Sequence, residues 1–390
     1  MNRYFPLEEY TQRWERVQEA MRRESLDLVL VWSRSAGTYD RCADLLYLAN
    51  YYGNQPGQGR RGPQGFAALL LKCGETPELF ADVLDPRTDL VSTEHVHACA
   101  NTFEAVAQGL TVLGRRRVGL VGSDVIPMKY WPILQRLAPD IEWVITDELI
   151  RQVRLVKSAR ELDAFRQAGE VVSGALGALM RALAAGSSEA EAAGDAAREV
   201  YRGGGHVHML AISHGANLQH LASDPLVGYS QDRPKHGDLV RAWITGPMFQ
   251  GYWLGPGRTV VSAASPTPAQ RSLLEANTAA VGAIIGGVRA GVSVRELVAI
   301  GDRHTEPYVD ETNLMAQQWP LYGHGNGLFF EAPTISTRVG PDADFVLREN
   351  MVISIEVFLS QTGVGHTGFE NNIIVTATGS ELLSRTPMML

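Results

Sequence analysis

Cysteine is scarce in this chain. Cys42, Cys73 and Cys99 are widely spaced and odd in number, and no C-x-x-C pair occurs. That excludes a disulfide framework and a zinc ribbon, and fits a reducing, cytoplasmic setting. Positive charge is also short: 35 Lys and Arg stand against 43 Asp and Glu, a formal net charge of -8. No basic field remains to hold a phosphate backbone, which argues against a nucleic-acid partner. A basic cluster such as "GRRRV" at 114–118 reads as a solvated turn before a buried strand. No apolar run approaches the roughly 20 residues that a bilayer span requires, so no membrane partner is expected. The charged, amphipathic start "MNRYFPLEEYTQRWERVQEAM" is not a signal peptide. The last absence is local. The stretch "RAWITGPMFQGYWLGPGRTV", 241–260, reads as a strand, a turn and a second strand carrying a site, yet it has no Asp, Glu, His or Cys.

What is present is an ordinary soluble composition, 45% hydrophobic and 20% charged over 390 residues, enough for two domains. In the first 150 residues helix and strand signals alternate. "YTQRWERVQEAMRRESL" places Trp14, Val17 and Met21 on one helical face. "DLVLVWS", "FAALLLK", "PELFADV" and "RVGLVGS" read as short buried strands. This pattern predicts an α/β layer domain. Next comes "RLVKSARELDAFRQAGEVVSGALGALMRALAAG", where Ser158 and Glu161 form a capping box and Leu162, Phe165, Val172, Leu176, Leu179 and Leu183 keep helical spacing. A boundary near 150–157 divides the chain into domains 1–152 and 153–390.

The second domain contains an internal duplication. One long helix ends at Gly186, and Ser188 with Glu191 caps the next. About a hundred residues later another long helix ends at Gly291, and Ser293 with Glu296 caps its successor. Each helix pair precedes a His-bearing, Gly-rich stretch, "HVHMLAISHGANLQH" and then "LYGHGNGLFF". Two such copies predict a pseudo-twofold α+β unit with a site between its halves. Four places hold reactive side chains: His214 and His220 in a polar loop, His324 between glycines, Glu356 in "MVISIEVFLS", and Glu370 opening "ENNIIVT". A Glu among β-branched neighbours is costly to bury unless it is paired, protonated or bound to a cation.

These segments carry a resemblance. Residues 151–390 resemble the pita-bread family of creatinase, aminopeptidase P, prolidase and methionine aminopeptidase, and the two-domain layout is similar to the creatinase and prolidase branch. "GHGNGL", "ENMVISIEV" and "GFENNIIVT" match the family's His, first Glu and second Glu segments in order. Its hairpin reads D-x-G-x-x-x-x-G-Y-x-x-D-x-x-R-T. Gly246, Gly251, Tyr252, Arg258 and Thr259 match, while Ile244 and Gly255 stand at the two Asp positions.

The resemblance implies a site of His324, Glu356 and Glu370 without the bridging carboxylates that two neighbouring divalent cations need, so a dinuclear peptidase is not expected. "GPMFQGYW" is close to the creatinase-like hairpin, which works without metal. The expectation is therefore a metal-independent hydrolase or lyase cleaving a C–N bond of a small guanidino or amide compound, with no cofactor. His220 would be the proton shuttle, with His214 the other candidate. His324, Glu356 and Glu370 would complete the catalytic set. Tyr252, Trp253, Arg258, Phe330 and Glu331 would line the substrate, Glu331 standing where the family has a second His. The alternatives are a peptidase-like enzyme with one divalent ion on His324, Glu356 and Glu370, and a non-catalytic binding module. The resemblance also implies a homodimer, with the loop 47–65 reaching to the partner.

Overall fold

The computed structural model describes residues 4–34, 42–53, 64–83, 86–223, 228–308, 314–338 and 340–388. The chain divides into two units, Met1–Arg154 and Leu155–Leu390. Most of the loop 47–65 expected to reach a partner, residues 54–63, lies outside the described residues.

The first unit is an α/β layer with helices α1 (Leu7–Arg23), α2 (Ala43–Ala49), α3 (Thr102–Val112), α4 (Trp131–Leu137) and α5 (Glu148–Arg154). Its strands are β1 (Leu28–Arg34), β2 (Phe66–Lys72), β3 (Glu78–Ala81), β4 (His95–Ala98), β5 (Arg116–Val121) and β6 (Ile141–Ile145), in the sheet order β4-β3-β2-β1-β5-β6. The central strands β1 and β2 are apolar almost without alternation because both faces of the sheet are covered. The edge strand β4 is mostly exposed and lacks such a run, and the edge strand β6 is short and only partly buried, which is why sequence pattern does not mark them. Helix α1 buries Trp14, Val17 and Met21.

The second unit is α+β, in the pita-bread arrangement. Helices α6 (Ala159–Ala184) and α7 (Glu189–Arg202) precede strands β7 (Met209–His214), β8 (Leu239–Phe249), β9 (Tyr252–Leu254) and β10 (Gly257–Val261). Helices α8 (Pro268–Gly287), α9 (Val294–Thr305) and α10 (Leu314–Gln318) precede β11 (Leu321–Asn326), β12 (Phe330–Ser336), β13 (Val352–Gln361), β14 (Gly365–Val375) and β15 (Ser380–Leu382). The sheet order is β12-β11-β13-β14-β10-β8-β7, with β9 on β8 and β15 on β14. The two halves meet where β10 pairs with β14, Gly257 against Glu370. The four helices α6 to α9 each open on a capping box, Ser158/Glu161, Ser188/Glu191, Thr267/Gln270 and Ser293/Glu296. The duplication is thus repeated in the caps as well as in the elements. Among the described residues no helix is long and apolar enough to cross a membrane.

Candidate active site

Period-two alternation decides what faces the site. On β13, Ile353, Ile355, Val357 and Leu359 enter the core with Leu273, Val281 and Ile284 of α8. Ser354, Glu356 and Phe358 therefore look the other way. On β14, Phe369, Ile373 and Val375 enter the same core, which turns Gly368, Glu370 and Asn372 to the site face. Glu356 and Glu370 are directly opposed in the ladder, and His324 on β11 is opposed to Ser354. Glycine on both sides of His324 is a steric requirement. A Cβ on Gly323 would lie 2.0 Å from the Ser354 carbonyl oxygen, and one on Gly325 would lie 2.2 Å from that of Ala332.

Two carboxyl groups facing each other in a dry sheet repel, and burial penalises their charge. Burial pushes Glu356 well above the ordinary carboxylate range, and repulsion from Glu370 adds to it. The Trp319 indole Nε1–H opposes this by donating to Glu356 Oε1 at 2.9 Å. Burial pushes Glu370 up to about 7, against hydrogen bonds from Ser354, the Trp243 indole and Asn372 and the positive charge of Arg258. Trp243 Nε1–H donates to Oε2 at 2.7 Å. The Ser354 hydroxyl in turn accepts from Asn326 and Asn372, each at 2.7 Å.

His324 Nδ1 lies 3.0 Å from the Gly325 carbonyl oxygen. A carbonyl only accepts, so Nδ1 carries the proton and Nε2 keeps its lone pair. Burial lowers the ring's pKa to about 4, so it is neutral at pH 7. Nε2 is 3.7 Å from Glu356 Oε1. That distance is too long for a hydrogen bond. Phe330 stands edge-on to His324 at 4.3 Å between ring centroids, and Trp253 meets Phe329 and Phe330 at 5.0 and 6.2 Å.

His324, Glu356 and Glu370 are therefore brought together, with Phe330 and Trp253 as an aromatic wall. The other expected residues are committed elsewhere. The His220 ring is exposed and its recorded polar neighbour is Gln219, 3.4 Å away; it does not join the carboxyl pair. His214 Nε2 lies 3.1 Å from Glu189 Oε1. Tyr252 donates its hydroxyl to Glu161 Oε1 at 2.8 Å, fastening β9 to the first turn of α6. Glu331 is held by Lys157 Nζ at 2.7 Å, both side chains buried, so it is a structural partner rather than a substrate contact. Arg258 spends its donors on the carbonyls of Gly257, Glu370, Thr386 and Pro387 and on Asn371 Oδ1. It pins the C-terminal segment and has no fork left for a ligand.

Sequence reasoning missed the two indoles. The register pairs Trp243 with Gly257 and Gly257 with Glu370, so Trp243 faces the carboxyl pair and Ile244, one residue on, does not. The available signal was complementary size. A Cβ on Gly257 would lie 2.1 Å from the Trp243 ring and one on Gly368 2.4 Å from it, so these glycines leave the room that the indole fills.

With this geometry in hand, comparison with known proteins identifies the class. The model of metallopeptidase family M24 matches residues 163–377, and that of the creatinase/prolidase N-terminal domain matches residues 13–156. The chain belongs to the M24 family, the pita-bread group of creatinase, aminopeptidase P and prolidase. Among its curated relatives, a Xaa-Pro dipeptidase of Pyrococcus horikoshii is 26% identical over 81% of this chain and 86% of that protein. A probable dipeptidase PepE of Mycobacterium bovis is 28% identical over 71% of this chain and 70% of that protein. Among solved structures, a Xaa-Pro dipeptidase from Bacillus anthracis superposes with a TM-score of 0.77 over 98% of this chain and 100% of that one, at 20% identity.

These findings overturn the creatinase-like, metal-independent reading and the expectation of no cofactor. The family is one of metallopeptidases, and the relatives are named dipeptidases. Nor do they support setting a dinuclear metallopeptidase aside. The donors here suit a divalent ion by type, two carboxyls and an imidazole with a free Nε2 lone pair. They do not fit by arrangement. Each Glu is turned to an indole N–H, and among the described residues no group of three or more His, Cys, Asp or Glu is set to hold a metal ion.

Proposed function

We propose that this protein is a hydrolase of the Xaa-Pro dipeptidase type, acting on the C–N bond of small dipeptide-like substrates at His324, Glu356 and Glu370. The observation that carries the reading is the convergence of these three side chains on one face of a metallopeptidase-family sheet, at the positions that resemble the family's His, first Glu and second Glu segments. The named activities of the curated relatives support the same choice. Amide hydrolysis needs a base for water and an acid for the departing nitrogen. An opposed carboxyl pair with raised proton affinity can hold one proton and pass another, and Phe330 and Trp253 give an apolar wall on which a pyrrolidine ring could pack. A homodimer and a cytoplasmic location belong to the same proposal, to be checked by light scattering and cell fractionation.

The test is a panel of Xaa-Pro dipeptides offered to chelated protein and to the same protein reloaded in turn with manganese, cobalt and zinc. Proline release that Glu356→Gln and His324→Ala each reduce by about a hundredfold or more is the expected result. Folded protein that releases no proline under any metal condition would sink the proposal, leaving a binding module.

A further inference from the structure

Two arginines are sealed inside the second unit, and they are treated differently. Arg258 has an acceptor for each of its five N–H bonds. Arg241 on β8 is 0% exposed, yet its recorded acceptor among the described residues is one oxygen, the main-chain carbonyl of His220, which takes an N–H of Nη2. Among the described residues, Nε and Nη1 have no hydrogen-bond partner. The other deeply buried cations of the described residues have carboxylates: Arg13 has Glu9, Arg154 has Asp44 and Lys157 has Glu331. An unpaired guanidinium is among the most costly groups to bury. Burial lowers its pKa to about 9, which still leaves it charged at neutral pH.

Its surroundings show where it points. The guanidinium carbon sits over the rings of Trp243 and Phe358, 5.7 and 5.5 Å from their centroids. Those rings form a small apolar cluster with Ala211 and Met315, and Ala222 and Ala316 pack against it. Trp243 is also the indole that donates to Glu370. Arg241 and the carboxyl pair therefore share the site face, one indole ring apart.

We propose that Arg241 is the anchor for a carboxylate, and hence that the site takes substrates bearing a free carboxylate on a small apolar body. The shape of the group leads there. Nη2 has two N–H bonds, and the His220 carbonyl uses one. Whichever it uses, the other lies parallel to an N–H of either Nε or Nη1, leaving one two-pronged fork that matches a carboxylate. A phosphate dianion would leave further oxygens facing alanine, methionine and aromatic carbon. Access requires the segment Gly215–Ser223 to yield, because its His220 carbonyl and Ala222 cover the group. The carboxylate preference stands on Arg241 alone. Only its use in cleavage rests on the hydrolase reading.

The test uses matched pairs, sodium propionate against propionamide for binding and Ala-Pro against its C-terminal amide for cleavage. Binding is read as the ligand-induced rise in Tm at constant ionic strength, with wild type, Arg241→Lys and Arg241→Met. The expected result is an acid bound about tenfold or more tighter than its amide by wild type, a smaller preference in Arg241→Lys and none in Arg241→Met. Ligand-free Arg241→Met is expected to melt above wild type, and propionate to close that gap. Equal response to acid and amide in wild type, no response to either, or a preference that survives Arg241→Met would overturn the proposal. If Arg241→Met does not fold, wild type and Arg241→Lys decide it. An acid preference without cleavage of Ala-Pro removes the hydrolase reading and leaves the anion site standing. Equal cleavage of Ala-Pro and its amide overturns the part of Arg241 in substrate choice and leaves the hydrolase.

Discussion

At the scale of single residues, the site is defined by groups whose proton affinity burial has altered. Glu370 is raised from 4.5 to about 7. The folded chain therefore keeps a proton that the unfolded chain releases. The stability this represents is complete below pH 4.5 and is lost as pH rises through about 7. Gln at this position cannot ionise and still accepts from the Trp243 indole. Chelated Glu370→Gln is therefore expected to be more stable than wild type near pH 8, by an amount on the order of 2–3 kcal/mol, with the gap shrinking toward about pH 5. Thermal melts across that range check it, and a gap that does not vary with pH would show that Glu370 ionises normally. His324, Glu356 and Glu370 were legible as candidates because acidic and imidazole groups stand out in apolar strands. Trp243, Trp319 and Arg241 were not. Trp243, in a hydrophobic strand, reads as core, and nothing local says that its N–H meets a carboxyl group 127 residues on, or that the N–H of Trp319 meets one 37 residues on.

At the scale of elements, the hairpin β8–β10 is shaped by what its glycines leave open. Gly246, Gly251 and Tyr252 keep the turn, and Gly257 on β10 clears the space that the Trp243 ring occupies. Gly257→Ala puts a methyl carbon inside that ring, so the indole must leave Glu370. The expected cost is about 1–3 kcal/mol in urea unfolding, with a change in tryptophan fluorescence. An unchanged midpoint and spectrum would mean that the ring has another place to go. Helices α6 to α9 were legible to within a turn because capping boxes and 3.6-residue periodicity are local signals. Strand β4 was not, since its exposed edge carries no apolar run, and β6 was not, since it is short and only partly buried.

At the scale of the whole molecule, two units each have a core, one around Trp32 and Phe103 and the other around α8 and the strands β13 and β14. Lys157 and Glu331 join the first residues of the second unit to β12 through a buried ion pair. Lys157→Met takes the ammonium away from the buried Glu331 carboxylate, at an expected cost of about 3–5 kcal/mol, most of which Lys157→Met/Glu331→Leu should restore. Hydrogen exchange is the measurement. Protection should fall across 155–388 in the single variant and return in the double. A single variant with wild-type protection would mean that Glu331 finds water or another donor.

The sequence by itself determined the family, the two-part layout, the doubled helix pairs and the three residues on which the function is proposed. All of these rest on local periodicity, caps and ordered motifs. Only the tertiary structure decided which neighbours those residues have. It committed Tyr252, Arg258 and Glu331 to internal partners, left the His220 ring exposed, placed an indole against each glutamate and left Arg241 charged with an open fork. The physical reason is that burial and strand register are long-range properties. A carboxyl group's proton affinity and an arginine's need for an anion depend on what the opposite strand supplies, and no window of sequence contains both.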